Sequence, residues 1–164
     1  MKNILVVSVV CALLAGCDYT VPLVKSPTLP LDNTVVGLWQ STDGGATTNK
    51  LLVLPSSKEQ YLVVYPAESP NAMFAHGALW KNDKLTLVQL DWFGTARGDL
   101  PTDNRTFQYA KYTVASEKLT LHLLNPEVVS KDVASSNDLV KAIADNKDNP
   151  KLFRDKIVFE KVKR

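Results

Sequence analysis

Residues 118–124 read KLTLHLL, a stretch in which apolar and polar side chains alternate up to Leu123. In an extended chain Leu119, Leu121 and Leu123 fall on one face, whereas Thr120 and His122 fall on the other. This period of two residues predicts a β-strand with one face buried in a core. The same pattern recurs along the chain and decides the predicted fold.

Seven further stretches are typical of β-strands, because they are rich in β-branched and aromatic residues and are bounded by turn residues. They cover residues 35–42, 50–55, 59–66, 72–82, 84–92, 106–114 and 156–162. Most connections are short, and Asn82-Asp83 is typical of a tight hairpin. Short connections favour an antiparallel up-and-down meander of eight strands, and closure into a barrel removes the exposed edges. Some strands are apolar on both faces, which predicts that the outer face is partly covered.

A helical region is predicted between the last two strands. Residues 125–127, Asn-Pro-Glu, are typical of a helix start and predict a first short helix. Ser135 and Asp138 have the spacing of a capping box and begin a second helix. Its narrow apolar stripe consists of Leu139, Ala142 and Ile143. Residues 146–150 end it, so the predicted fold is a mainly β, eight-stranded barrel with a helix laid against its outside before the last strand.

The N-terminal residues are typical of an exported protein. Lys2 precedes an apolar run over residues 4–16, which is shorter than the roughly 20 residues needed to span a bilayer and fits a signal peptide. Leu14-Ala15-Gly16-Cys17 resembles the lipobox of bacterial lipoproteins. The resemblance implies that residues 1–16 are removed and that Cys17 carries fatty acyl chains such as palmitate.

The lipobox resemblance also implies a location. Two or more acyl chains anchor a protein stably to a membrane. Cys11 would leave with the signal peptide, so the mature domain would have no free thiol and no disulfide. Asp18 resembles the signal that retains enterobacterial lipoproteins at the inner membrane. The expected location is therefore the bacterial inner membrane, with the domain facing the periplasm and the outer membrane as the alternative.

Residues 17–34 are predicted to be a tether between the anchor and a single domain over residues 35–164. The segment shows no helical period and contains Pro22, Pro27 and Pro30. An extended chain of this kind rises about 3.1 Å per residue, which would lift the domain roughly 50 Å from the bilayer. Alternatively, part of it, such as residues 21–24, lies along the domain.

Gly37-Leu38-Trp39 on the first predicted strand resembles the Gly-x-Trp motif that opens lipocalins and related calycin barrels. In that family the Trp plugs one end of the barrel, and a basic residue near the last strand packs over it. Thr102-Asp103 resembles a second family motif but falls one connection too early. No Arg lies within the final predicted strand, which Arg154 and Arg164 flank. The resemblance implies a lipocalin-like barrel, and another β-rich α+β meander is the alternative.

Composition and motifs give no support for catalysis or nucleic-acid binding. The chain has 19 basic and 17 acidic residues and shows no basic stripe interleaved with aromatics. His76 and His122 lie on predicted strands without the paired Cys or His ligands of a metal site. The sequence has neither a nucleophile-elbow serine nor a Gly-rich phosphate loop. We therefore predict a non-enzymatic protein with no metal, no cofactor and no nucleic-acid partner.

The predicted connection FGTARGDLPTDNR, residues 93–105, is long for a hairpin, and long loops are frequently functional. Trp92 and Phe93 would meet Arg97 and Arg105 near one barrel rim, so these four residues are the candidate ligand or partner loop. Alternatively, the two aromatics complete the core and the arginines form solvated ion pairs.

Two functions remain open at this point. The side chains that could line the barrel interior are Tyr61, Tyr65, Met73, Trp80, Phe107 and Tyr109. An open interior of this kind predicts binding of a small apolar ligand. A filled interior with an exposed apolar patch instead predicts a module that docks on another envelope protein, as inhibitor, immunity or assembly-accessory lipoproteins do.

Overall fold

The computed structural model describes residues 19–42, 48–83, 85–99 and 103–163, which contain eight strands in one closed antiparallel barrel. Each strand pairs with the next, and the first pairs with the last. The strands are β1 (Gly37–Ser41), β2 (Lys50–Pro55), β3 (Tyr61–Ala67), β4 (Met73–Asn82), β5 (Leu85–Thr95), β6 (Phe107–Ala115), β7 (Lys118–Leu124) and β8 (Phe153–Lys161). Helix α1 (Ser136–Asp145) precedes β8. The predicted eight-stranded barrel with a helix before the last strand is confirmed.

Three differences between the predicted and observed strand boundaries affect the candidate site. β1 begins at Gly37 rather than at residue 35, because residues 33–35 form a short 3-10 helix whose N-cap is Asp32. β5 continues to Thr95, so the loop after it is shorter than predicted. β8 begins at Phe153, which places Arg154 inside the final strand rather than beside it.

The inner core fills the barrel with side chains from all eight strands. Trp39 and Phe159 are fully buried within it. Its other buried members are Val35, Leu51, Val53, Tyr61, Val63, Ala75, Leu79, Trp92, Ala110, Leu119, Leu123 and Ile157. Residues on alternate positions of each strand supply this core, as the two-residue period predicts.

A second core lies outside the barrel, beneath helix α1. Its buried members are Tyr19, Leu23, Leu87, Tyr109, Leu124, Val129, Leu139, Ile143 and Leu152. The predicted cap is confirmed, because the Ser135 side chain accepts a hydrogen bond from the Asp138 N–H at 3.1 Å. Trp80, Phe107 and Tyr109 pack in this outer core. Their predicted position inside the barrel is wrong, because they lie on the opposite phase of their strands from Leu79 and Ala110.

Residues 125–129 form a single hydrogen-bonded turn, so the predicted first short helix is wrong. The Asn125 carbonyl accepts hydrogen bonds from the Val128 and Val129 N–H groups at 3.0 and 2.9 Å. Its side-chain amide donates to the Lys151 carbonyl at 2.9 Å. The Asn125 side chain thus ties the start of this connection to its end, and the chain turns away instead of continuing as a helix.

Residues 19–34 lie along the outside of the barrel from one end to the other. Tyr19 exchanges backbone hydrogen bonds with Phe107 at 3.3 and 3.1 Å. The Gln89 side chain bonds both the N–H and the carbonyl of Val24, at 2.9 and 3.0 Å. This is the arrangement that the sequence left open for residues 21–24, and no 50 Å spacer extends over residues 19–34. Residues 1–16, which are predicted to be a signal peptide, lie outside the described residues together with Cys17 and Asp18.

Candidate functional site

The end of the barrel at which β1 begins is closed by Trp39, and we call it the plugged end. The Trp39 indole N–H donates to the Val35 carbonyl at 2.8 Å. The Lys161 ammonium lies 5.1 Å from the Trp39 ring centre. A basic residue therefore packs over the tryptophan, as the lipocalin resemblance implies, but it is a lysine. Sequence reasoning missed Lys161 because it looked for arginine, although Lys161 is the last residue of β8 and pairs with Trp39.

Gly37 is required by this arrangement. Its φ angle is +142°, a conformation that residues with side chains rarely adopt. A Cβ atom at this position would lie 3.1 Å from the Lys161 Cε atom. The glycine thus lets the Lys161 side chain cross β1 and reach the Trp39 ring.

A small hydrogen-bond network around Asp32 completes the plugged end. The Asp32 carboxylate accepts hydrogen bonds from the Thr34 N–H and hydroxyl at 2.9 and 2.6 Å and from the Tyr112 hydroxyl at 3.1 Å. Its backbone N–H donates to the Tyr61 hydroxyl at 2.7 Å. Burial alone would raise the pKa of Asp32, but the bonds from Thr34 and Tyr112 outweigh it and lower that pKa. Burial raises the pKa of Tyr61 and of Tyr112.

A wholly apolar cavity of about 60 Å³ lies inside the barrel beside the plugged end. Its lining consists of Val35, Leu51, Val53, Tyr61, Val63, Leu79, Val88, Leu90, Ala110, Tyr112, Leu119, Leu121 and Leu123. Of the six aromatic and Met side chains predicted inside, Tyr61, Tyr65 and Met73 face the interior, and Tyr61 lines the cavity. Pockets for small molecules typically measure about 300–1,000 Å³. The interior is therefore much closer to a filled core than to an open cup.

The outer side of β1–β4 carries apolar side chains that pack mainly on one another. Leu38, Leu52, Val64 and Phe74 are successive cross-strand partners in one row. Leu54 and Leu62 form a second row that continues to His76. Leu54 is 39% exposed. We call the six apolar residues of these rows, Leu38, Leu52, Leu54, Leu62, Val64 and Phe74, the outer apolar face.

Trp92 and Phe93 of the candidate loop point to opposite sides of the barrel wall. Trp92 is buried in the inner core, and its indole N–H donates to the Gln108 side chain at 3.4 Å. A bulge in β5 leaves Phe93 outside, where it is 40% exposed and stacks on His76 with ring centres 4.4 Å apart. The alternative prediction that both aromatics complete the core is therefore confirmed for Trp92 and wrong for Phe93.

The two candidate arginines lie on the surface. Arg97 is exposed in the turn after β5. The Arg105 guanidinium lies 3.4 Å from the Asp132 carboxylate, in an exposed ion pair. Asp103 accepts a hydrogen bond from the Arg105 N–H at 3.0 Å. Of the candidate residues, the structure brings Phe93 together with His76 and Arg105 together with Asp132. Thr102 of the second motif and Arg164 fall outside the described residues.

His122 lies on the outer face of β7 between Lys111 and Lys156, its partners on the two neighbouring strands. Burial lowers the pKa of His122, and the two lysines lower it further. Among the residues that the structure describes, no three His, Cys, Asp or Glu side chains lie together as metal ligands. In the same residues, no helix is long and apolar enough to cross a membrane.

Comparison of the chain with protein-family models, with curated proteins and with solved structures finds no match. A function for this chain therefore has to be inferred from its own residues. The plugged end, the inner cavity and the outer apolar face are the three features that bear on it.

Proposed function

We propose that this chain is a lipid-anchored, non-enzymatic protein of the bacterial cell envelope whose barrel docks on another envelope protein. The anchor rests on the lipobox resemblance of residues 14–17. Asp18 favours the inner membrane, with the barrel in the periplasm. The contact between Trp39 and Lys161 and the need for Gly37 support a lipocalin-like plan for the barrel.

The outer apolar face is the observation that carries the proposal. Its leucines are cross-strand neighbours on β1–β3, so they form one continuous surface rather than scattered side chains. Contiguous apolar patches on soluble domains are frequently interaction sites. Covering such a patch removes apolar area from water, which contributes about 25 cal/mol per Å². Because the barrel is closed, a partner must dock on these side chains and not on a free strand edge.

A photo-crosslinking experiment tests the docking. A photoreactive amino acid replaces Leu54 in the full-length chain, expressed in its own bacterium, and a matched variant carries it at Thr120 on the outer side of β7. We expect one discrete protein adduct from position 54, none from position 120, and loss of the adduct when Leu62→Glu is added. The same adduct from both positions, or none from position 54, would contradict the proposal.

A small apolar ligand in the inner cavity is the second candidate function. It is favoured by the wholly apolar lining and by four inward-facing residues that are not fully buried, namely Val88, Leu90, Tyr112 and Leu121. Native mass spectrometry of the mature Cys17→Ser chain, exported to a periplasm, separates the two candidates. An added mass that organic extraction removes would favour the ligand, whereas a clean apo mass favours the docking module.

The anchor has a direct test of its own. The Cys17→Ala chain should lose both metabolic labelling by a fatty acid and retention in the membrane fraction. The Cys11→Ala chain is the matched control and should keep both, because Cys11 belongs to the segment that is removed. A Cys17→Ala chain that stayed labelled and membrane-bound would refute the lipobox interpretation.

A further inference from the structure

The chain is attached firmly to the barrel at Tyr19, close to the proposed anchor. The Tyr19 side chain is 1% exposed, and its hydroxyl donates to the Val129 carbonyl at 2.8 Å. Its ring lies 5.1 Å from the Tyr109 ring, and its backbone pairs with Phe107 at the start of β6. Tyr19 therefore lies at the barrel end opposite the plugged end, which we call the far end.

Cys17 precedes Tyr19 by two residues. Two residues of polypeptide reach at most about 7 Å, whatever their conformation. If Cys17 carries the lipid, as the proposed function holds, the far end lies at the membrane surface. A domain held this closely cannot swing on a long tether.

The surface around this attachment point contains an exposed aromatic ring. A groove there is lined by Thr20, Asp91, Trp92, Phe93, Asp103, Asn104 and Thr106. Phe93 is its large exposed apolar side chain, and the bulge in β5 turns it outward. One face of the Phe93 ring stacks on Phe74 and His76, with centroid distances of 6.3 and 4.4 Å. These contacts fix the position of the ring but leave it partly exposed to solvent.

The far-end rim has no surplus of positive charge. Arg97 and Arg105 lie on it together with Asp91, Asp99 and Asp103, and Arg105 pairs with Asp132. Asp99 is hydrogen-bonded to Thr95 within the turn that follows β5. A rim of this kind does not attract anionic lipid strongly, so any contact with a bilayer depends on the apolar ring.

We propose that the far-end rim sits on the lipid surface, with Phe93 inserted at the level of the headgroups. The inference rests on the proposed lipid anchor at Cys17. Apolar side chains inserted at this depth strengthen membrane binding in proportion to their buried area. In a closed ring of eight strands β2 lies opposite β6, so the β1–β2 side of the outer apolar face stays away from the anchor and available to a protein.

Fluorescence quenching tests the orientation on the mature lipidated chain. The proposed mature chain has no free thiol that would compete for the label, because Cys11 leaves with the signal peptide and the Cys17 sulfur carries the lipid. A single cysteine, from Phe93→Cys or from Ser57→Cys in the turn at the plugged end, is labelled with an environment-sensitive dye. Each protein is reconstituted in neutral phosphatidylcholine vesicles, with and without nitroxide-bearing lipid. Mass spectrometry of each protein confirms the acyl chains.

We expect the nitroxide lipid to quench the dye at position 93 and to leave the dye at position 57 unaffected. Adding anionic lipid should not increase the quenching, because the rim has no surplus of positive charge. A dye at position 93 that only water-soluble iodide quenches would overturn the inference and leave the anchor standing. A dye shielded from both quenchers would also overturn it, since protein would then cover Phe93. A mature chain without acyl mass would overturn both the anchor and the orientation.

Discussion

Strands β5 and β6 and strands β1–β3 all carry apolar residues on the outer face of the barrel, but the two groups of residues differ in how much of their surface is buried. On β5 and β6 the outward Leu87 and Tyr109 are fully buried under helix α1 and residues 19–34. On β1–β3 the outward Leu52, Leu54 and Leu62 remain partly exposed. One side is a completed core, whereas the other is an apolar surface that Ala67, Ala72 and Phe93 cover only in part.

Connection length explains the difference. The chain between β7 and β8 runs over residues 125–152, which is long enough to form α1 and fold back on the wall. The connections between β2, β3 and β4 are short turns, and of their residues only Ala72 is buried against the outer apolar face. The apolar outer face is therefore covered on the side where a connection between two strands is long, and it stays partly exposed on the side where the connections are short.

The largest expected effect comes from the same substitution on the two sides. Leu87→Ala should lower the free energy of unfolding by about 3 kcal/mol, because it leaves a cavity in the outer core. Leu52→Ala should cost about 1 kcal/mol, since its side chain is already partly in water. Urea denaturation of both variants measures the difference. Equal losses would show that the outer apolar face is packed as tightly as the outer core.

Asp32→Ala extends the comparison to the plugged end. Loss of the cap and of the Tyr112 bond should cost about 1–2 kcal/mol at neutral pH. The folded-state pKa of Asp32 is lowered, so its contribution is present above the ordinary value of 3.8 and is lost as the pH falls through the folded pKa. The deficit should therefore shrink below about pH 4. Asp148→Ala, at an exposed carboxylate, is the control and should change little at either pH.

Tyr19→Phe tests how tightly the covering segment is held. It removes the buried hydrogen bond to the Val129 carbonyl and keeps the ring packing against Tyr109, so the expected loss is about 1 kcal/mol. Hydrogen exchange should show faster opening of residues 19–24 without a change in β2. Unchanged exchange in the segment would mean that the hydroxyl does not hold it.

Lys161→Met should have the smallest effect, because it keeps the aliphatic stem and removes the charge over the Trp39 ring. The expected loss is about 0.5–1 kcal/mol by thermal or urea denaturation. Lys161→Arg is the matched control and should retain most of the stability. If Lys161→Met were as stable as the unmodified chain, Lys161 would contribute through the packing of its aliphatic stem and not through its charge.

The strands and helix α1 could be predicted because their signals are local. Alternation in KLTLHLL places Leu119, Leu121 and Leu123 inside, and Ser135 provides a cap with its own side chain. The predicted orientation of β6 is wrong because its large aromatic residues, Phe107 and Tyr109, point outward into the outer core rather than into the barrel. A shift of one residue inverts every side chain in a strand, so composition cannot choose the inner face of a strand that is covered on both sides.

The candidate site was harder to predict because it depends on register. The bulge that turns Phe93 outward is followed by Gly94, and an isolated glycine in a strand is typical of a bulge. Because Gly94 falls in the predicted loop over residues 93–105, this signal did not point to a strand. Lys161 meets Trp39 only because the last strand closes against the first. Contacts of that kind become visible when the pairing of distant strands is known.

The pairing of β1 with β8 also has a consequence for how the chain folds. Trp39 contacts its partner Lys161 only when the first and last strands of the barrel have come together. Contacts between residues so distant along the chain slow folding, since a large loop must close first. We therefore expect the contact between Trp39 and Lys161 to form after the hairpins from β2 to β7, which depend on contacts between neighbouring strands.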